Sequence, residues 1–122
     1  MGIMYVEATL SRADGRGRAV PSRLLVDTGA VYSVLPEETW KALKLRPMDR
    51  ADFTLADGSV ITRDVSECRF ALQGKAATSP VVLGESGEGP LLGAVTLETL
   101  GLMLNPLTRA IRPMRLMLAA CS

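Results

Sequence analysis

The run Arg23-Leu24-Leu25-Val26-Asp27-Thr28-Gly29-Ala30-Val31-Tyr32-Ser33-Val34-Leu35-Pro36 limits what this chain can become more than any other stretch. Apolar residues climb to one carboxylate, break at Thr-Gly and resume, which predicts two buried strands joined by a turn that carries Asp27. Chains normally leave Asp in water, because burying it desolvated costs several kcal/mol unless it is paired or protonated. Gly29 supplies the close backbone approach that so tight a turn needs.

The rest of the composition narrows the chemistry open to that carboxylate. His is absent from the 122 residues, which removes Ser-His and Cys-His nucleophiles and most zinc sites. Cys68 and Cys121 are far apart, and one is penultimate, so neither a metal ligand set nor a disulfide framework is expected and a reducing compartment fits best. With 14 basic and 13 acidic side chains the net charge is +1, which gives no electrostatic reason to expect a nucleic acid or an anionic membrane as partner. No basic leader with a long apolar run and no span of membrane length is present, so the expectation is a soluble, cytoplasmic protein. A phosphoryl-accepting or metal-binding role for Asp27 would want further carboxylates or a phosphate-cradling Gly loop nearby, and neither is found.

A second motif stands downstream at Pro90-Leu91-Leu92-Gly93-Ala94-Val95-Thr96-Leu97: two apolar residues, a Gly, and a short helical pattern. Taken with Asp27-Thr28-Gly29-Ala30 and the order of the two, it makes the stretch from Tyr5 to Arg112 resemble the retropepsin-like, retroviral-type aspartic proteases. That resemblance implies an all-β, mostly antiparallel fold with one or two short helices, residues 1–122 forming a single-lobe protomer of a C2 homodimer. A hydrophobic-hydrophobic-Gly element would thread beside the catalytic turn and lead into the one well-formed helix.

Taken in order, Met4 to Leu10 reads as a strand, Asp14-Gly15-Arg16-Gly17 as its turn, and Val20 to Val26 as the return, with Pro21 hinting at an edge or bulge. Pro36-Glu37-Glu38 with Trp40, Leu43 and Leu45 predicts a short helix with Pro at its first position, Trp40 facing the core. Phe53 to Thr62, with Asp57-Gly58 at its middle, carries the strongest short-range hairpin signal in the chain. Ser66 to Leu72 and Ala77 to Leu83 predict another hairpin, and Gly84 to Pro90 a flexible acidic loop. Thr96 to Leu100 with Gly101 as its cap reads as a helix, Leu102 to Leu104 as a strand, Asn105-Pro106 as a turn, and Ala110 to Leu118 as a last apolar segment.

Through the resemblance, Asp27 becomes the catalytic residue and Thr28, Gly29 and Ala30 the rest of the active-site turn. Only one Asp-Thr-Gly exists, so a facing pair of carboxylates requires Asp27 of two subunits across a two-fold axis, with Thr28 bonding across that axis. The hairpin becomes a flap whose residues Leu55, Ala56, Asp57, Gly58 and Ser59 would cover an extended peptide or protein substrate. Val31, Tyr32 and Leu91 would wall the pocket, although sheet core is an equal reading for Val31 and Leu91. No cofactor and no metal is implied. Flap tips in the retroviral enzymes are glycine-rich and apolar, whereas this one carries Asp57. Together with Val95-Thr96, where the family commonly has a polar or acidic residue after Gly-x, that departure keeps open a catalytically idle dimerisation or peptide-binding module.

Overall fold

A computed structural model describes residues 3–114. Its strands are β1 (Tyr5–Ser11), β2 (Val20–Val26), β3 (Ser33–Leu35), β4 (Asp49–Thr54), β5 (Val60–Leu72), β6 (Lys75–Leu83), β7 (Leu91–Leu92), β8 (Leu102–Asn105) and β9 (Ala110–Pro113). Two short helices, α1 (Glu37–Ala42) and α2 (Ala94–Thr99), interrupt them. Seven strands form one sheet in the order β1-β2-β7-β3-β6-β5-β4, and an extra pairing of β1 with β5 closes six of them into a barrel. The fold is therefore all-β with short helices, as expected. Its pairings are mostly antiparallel, with short parallel stretches where β2 meets β7 and β3 meets β6.

Alternation along β1 turns Val6, Ala8 and Leu10 inward and leaves Tyr5, Glu7 and Thr9 outside. Those inward residues join Leu24, Leu35, Phe70, Val81, Leu92 and Leu102 in the core. Pro21 sits opposite Thr9 in β2. The nitrogen of Leu25 faces away from β1 and donates to the carbonyl of Pro90. Two pleats earlier, Pro21 turns its nitrogen to that same side, before β7 begins, so the missing N–H costs no ladder bond.

The hairpin expected from Asp57-Gly58 is present, but its second arm does not end where the sequence pattern suggested. β5 is one strand of 13 residues that serves two hairpins. Its first half pairs with β4, from Val60 opposite Thr54 to Val65 opposite Asp49. Further along, Arg69 to Ala71 pair with β1, while β6 runs beside residues from Asp64 to Leu72. The hairpin is thus a cantilever grown from the barrel wall. In α1, Pro36 is the N-cap and Glu37 the first helical residue, one position later than the sequence suggested, and Lys41 pairs with Glu37 at 3.4 Å. Trp40 is half-buried against the core, as expected, and its indole Nε1 also donates to the carbonyl of Gly84 at 2.7 Å. Gly101, with φ of +71°, follows the C-cap of α2. β8 is the strand expected at Leu102 to Leu104, and β9 is the counterpart of the last apolar segment as far as Pro113; the continuation of that segment from Arg115 to Leu118, like Cys121, lies outside the described residues.

Candidate active site

Asp27 follows the last residue of β2 and is held by its backbone from both neighbours. Its N–H donates to the carbonyl of Leu92 at 3.0 Å, and its carbonyl accepts from the N–H of Ala30 at 3.1 Å. The side chain is oriented as well, because Oδ1 accepts the N–H of Gly29 at 3.0 Å. A Cβ on Gly29 would stand 3.2 Å from that oxygen, so the turn is built around the carboxylate. Asp27, Thr28 and Gly29 are all exposed at the protomer surface. The sequence placed the carboxylate between two buried strands; β2 buries only Leu24 and β3 buries Ser33 and Leu35, while the turn leaves Asp27 exposed.

What keeps the turn rigid lies beneath it. The carbonyls of Ala30 and Val31 accept the N–H groups of Ala94 and Val95 at 2.8 and 3.0 Å, so the segment after Asp27 crosses directly over the start of α2. The crossing is so close that a Cβ on Gly93 would lie 2.5 Å from the carbonyl carbon of Tyr32, which makes glycine the one residue that fits. Under the crossing, Thr96 is fully buried and its hydroxyl joins those of Ser33 and Ser79 at 2.6 and 2.8 Å. Ser33 Oγ also accepts the N–H of Gly93 at 3.0 Å. Each hydroxyl of this small network has a partner, as burial demands. Thr96, within the Val95-Thr96 step that the sequence marks as a departure from the family, is therefore a structural keystone.

Beside the turn opens a cleft of about 520 Å³. Gly29, Ala30, Val31, Tyr32 and Leu91 form one side of it, and Phe53, Thr54, Leu55 and Ile61 of the hairpin form another. The Tyr32 and Phe53 rings meet edge to face at 6.0 Å between centroids, joining the segment after Asp27 to the hairpin. Val31 and Leu55 are exposed within the cleft rather than packed in the sheet. Ala56, Asp57, Gly58 and Ser59 stand at the hairpin tip, outside the lining of this cleft. There Asp57 Oδ1 accepts from Ser59 N–H and Oγ at 2.9 and 2.6 Å, and Gly58 takes the left-handed conformation. The Ser59 hydroxyl, then its amide, hold the Asp57 carboxyl below the usual range, so the tip keeps its charge further into acid than a free Asp would.

Sequence reasoning missed several lining residues: Val34, Phe53, Ile61, Val82 and the pair Arg63 and Glu88. Phe53 and Ile61 face each other across the hairpin, which period-two alternation counted outward from Asp57-Gly58 would have found. Arg63 and Glu88 had no local signal. Asp27 and Thr28 do not line that cleft; they border a second hollow of about 370 Å³, lined further by Met4, Val26, Leu104, Pro106 and Arg109.

An aspartyl protease family model matches residues 9–96, a stretch that begins in β1 and ends inside α2. The chain belongs to the retropepsin-like aspartyl proteases. Among solved structures, this retropepsin-like chain is similar to the protease of simian foamy virus (mac), with a TM-score of 0.52 at 21% identity, over 78% of this chain and 92% of that one. At that identity the likeness speaks for the fold. No curated protein matches the chain. In this retropepsin-like chain the Asp27-Thr28-Gly29 turn and the Leu91-Leu92-Gly93 element are joined by the bond from the Asp27 N–H to the Leu92 carbonyl.

Proposed function

We propose that the protein is an aspartic endopeptidase that acts as a homodimer, with one Asp27 from each subunit. The observation that carries this reading is a carboxylate clamped by backbone bonds and exposed at the protomer surface, on a turn whose Gly29 and Ala30 line a mostly apolar cleft overhung by a hairpin. Facing carboxylates about 3 Å apart cannot both ionise, so the pair shares one proton. The ionised member takes a proton from water as that water attacks the peptide carbonyl carbon, and the protonated member donates to the carbonyl oxygen. The tetrahedral intermediate then collapses with the proton returned to the leaving nitrogen. Thr28 bonds across the axis and locks the turns together. An extended peptide lies along Val31, Tyr32 and Leu91, with Leu55 to Ser59 closing above it as a flap.

The test is Asp27→Asn, assayed on a library of extended peptides alongside sedimentation of both proteins. Asn keeps the oxygen that accepts from Gly29, so fold and dimer should survive while hydrolysis disappears. Cleavage retained by the variant, or a strictly monomeric protein at high concentration, would refute the proposal.

A further inference from the structure

Three charged residues line the cleft, Asp52, Arg63 and Glu88, and the last two form an ion pair that joins its walls. Arg63 on β5 reaches across to Glu88 in the loop before β7, Nε to Oε1 at 2.9 Å and Nη2 to Oε2 at 2.6 Å. The third guanidinium nitrogen, Nη1, donates to the carbonyl of Thr62 at 2.9 Å, and Glu85 approaches Nη2 at 3.4 Å. Only 16% of the Arg63 side chain is exposed, against the 68% of Arg50 in its ordinary surface pair with Asp64. Glu88 is itself held, because its Oε1 also accepts the N–H of Glu85 at 2.7 Å. The loop is anchored at both ends as well: Trp40 bonds Gly84, and Gly89 lies so close to Val34 that a Cβ there would come within 2.6 Å of the Val34 carbonyl oxygen.

The loop therefore cannot yield to the flap, and the forked pair ties the flap's root to it. Two residues along β5 from Arg63 stands Ile61, which lines the same cleft; beside Glu88 stand Gly89 and, two residues further, Leu91. We infer that Arg63 is a positioning residue for substrate: its bidentate bond to Glu88 sets the distance between the Phe53–Ile61 wall and the Val34–Leu91 wall, and so the size of side chain the cleft accepts. The inference rests on the peptide-binding part of the function proposed above. A fork-to-fork pair suits this role because it defines both a distance and an orientation, where a lysine would define only the first.

Arg63→Gln, Glu88→Gln, Arg63→Lys and the exchanged pair Arg63→Glu with Glu88→Arg separate this role from simple support. Each is measured for KM and kcat on peptides that vary one apolar side chain from Ala to Phe, and for Kd towards an uncleavable reduced-amide peptide. The two Gln variants should raise KM and Kd by about tenfold for the best peptide, flatten the preference along the series, and leave kcat within about twofold. Arg63→Lys should fall between, and the exchange should restore both affinity and preference. Unchanged KM, Kd and preference in both Gln variants would overturn the inference, as would an exchange no better than the single changes. Circular dichroism and thermal melts of each variant identify any that fail to fold, and the exchanged pair then decides the matter. Peptide bound but never cleaved by the unaltered protein would sink the catalytic reading and leave this one to be decided by Kd; no binding at all would sink both.

Discussion

Gly93 and Gly87 look alike in the sequence and differ in what surrounds them. A Cβ at Gly93 meets the backbone of Tyr32 and Ser33, which cannot move aside, whereas at Gly87 it meets nothing within 4 Å and only the positive φ objects. Gly93→Ala should cost roughly 3 kcal/mol or more, and Gly87→Ala about 1 kcal/mol, with urea unfolding of both as the check. Equal costs would mean that the crossing relaxes. Thr96→Val removes one hydroxyl from a buried cluster and takes one partner each from Ser33 and Ser79, which keep the Gly93 N–H and the Pro80 carbonyl, so a loss of about 1 kcal/mol is expected in the same measurement. Cys68 is buried and its thiol is pushed up to about 12 by desolvation. It should stay unlabelled by a thiol reagent in the folded protein and react on unfolding, a test made clean by Cys121→Ser. The Asp27 turn was legible because its reasons are local: a carboxylate, a glycine, and apolar neighbours. Thr96 was not, since its partners Ser33 and Ser79 lie 63 and 17 positions away and leave no trace in the residues around it.

At the level of elements, hairpins announced themselves by their tips. Asp57-Gly58 placed the flap because both residues are needed there, one to accept from Ser59 and one to adopt a positive φ. The unity of β5 was hidden because the strand changes partner along its length and so never shows one clean alternation. Gly84 to Pro90 looks flexible from its glycines and acids, yet Arg63 and Trp40 fasten it down. Those fastenings make a prediction about acid. Glu88 is lowered chiefly by the Arg63 hydrogen bond, so its stabilisation is complete above the ordinary Glu range and is lost as pH falls through its lowered value. Glu88→Gln should therefore narrow the stability difference between neutral and acidic pH, as read by thermal melts. At the flap tip, two Asp57 charges facing one another in a closed dimer would repel. Asp57→Asn keeps the oxygen that accepts from Ser59 and removes that charge, so it should lower KM for an apolar peptide, more at low salt than at high. An unchanged KM at both ionic strengths would show that the tips stay apart.

For the molecule as a whole, the proposed site is shared between two copies, and its activity should betray that. Specific activity should fall on dilution below the dimer dissociation constant and recover on concentration, whereas a site complete in one chain would be indifferent. The pH profile should be a bell on the acidic side of neutrality, unmoved by chelators. The barrel also bears on when the proposed protease could first act. Asp27 is made early in the chain, but the carbonyl of Leu92 that receives its N–H, the glycine that admits its neighbouring segment and the threonine that props it arrive only with residues 92 to 96. Until then, a chain still being synthesised carries the carboxylate on an unsupported strand. For the proposed protease, the crossing of Tyr32 over Gly93 would thus act as a timer, withholding competence until the second half of the barrel has been delivered and threaded beneath the first.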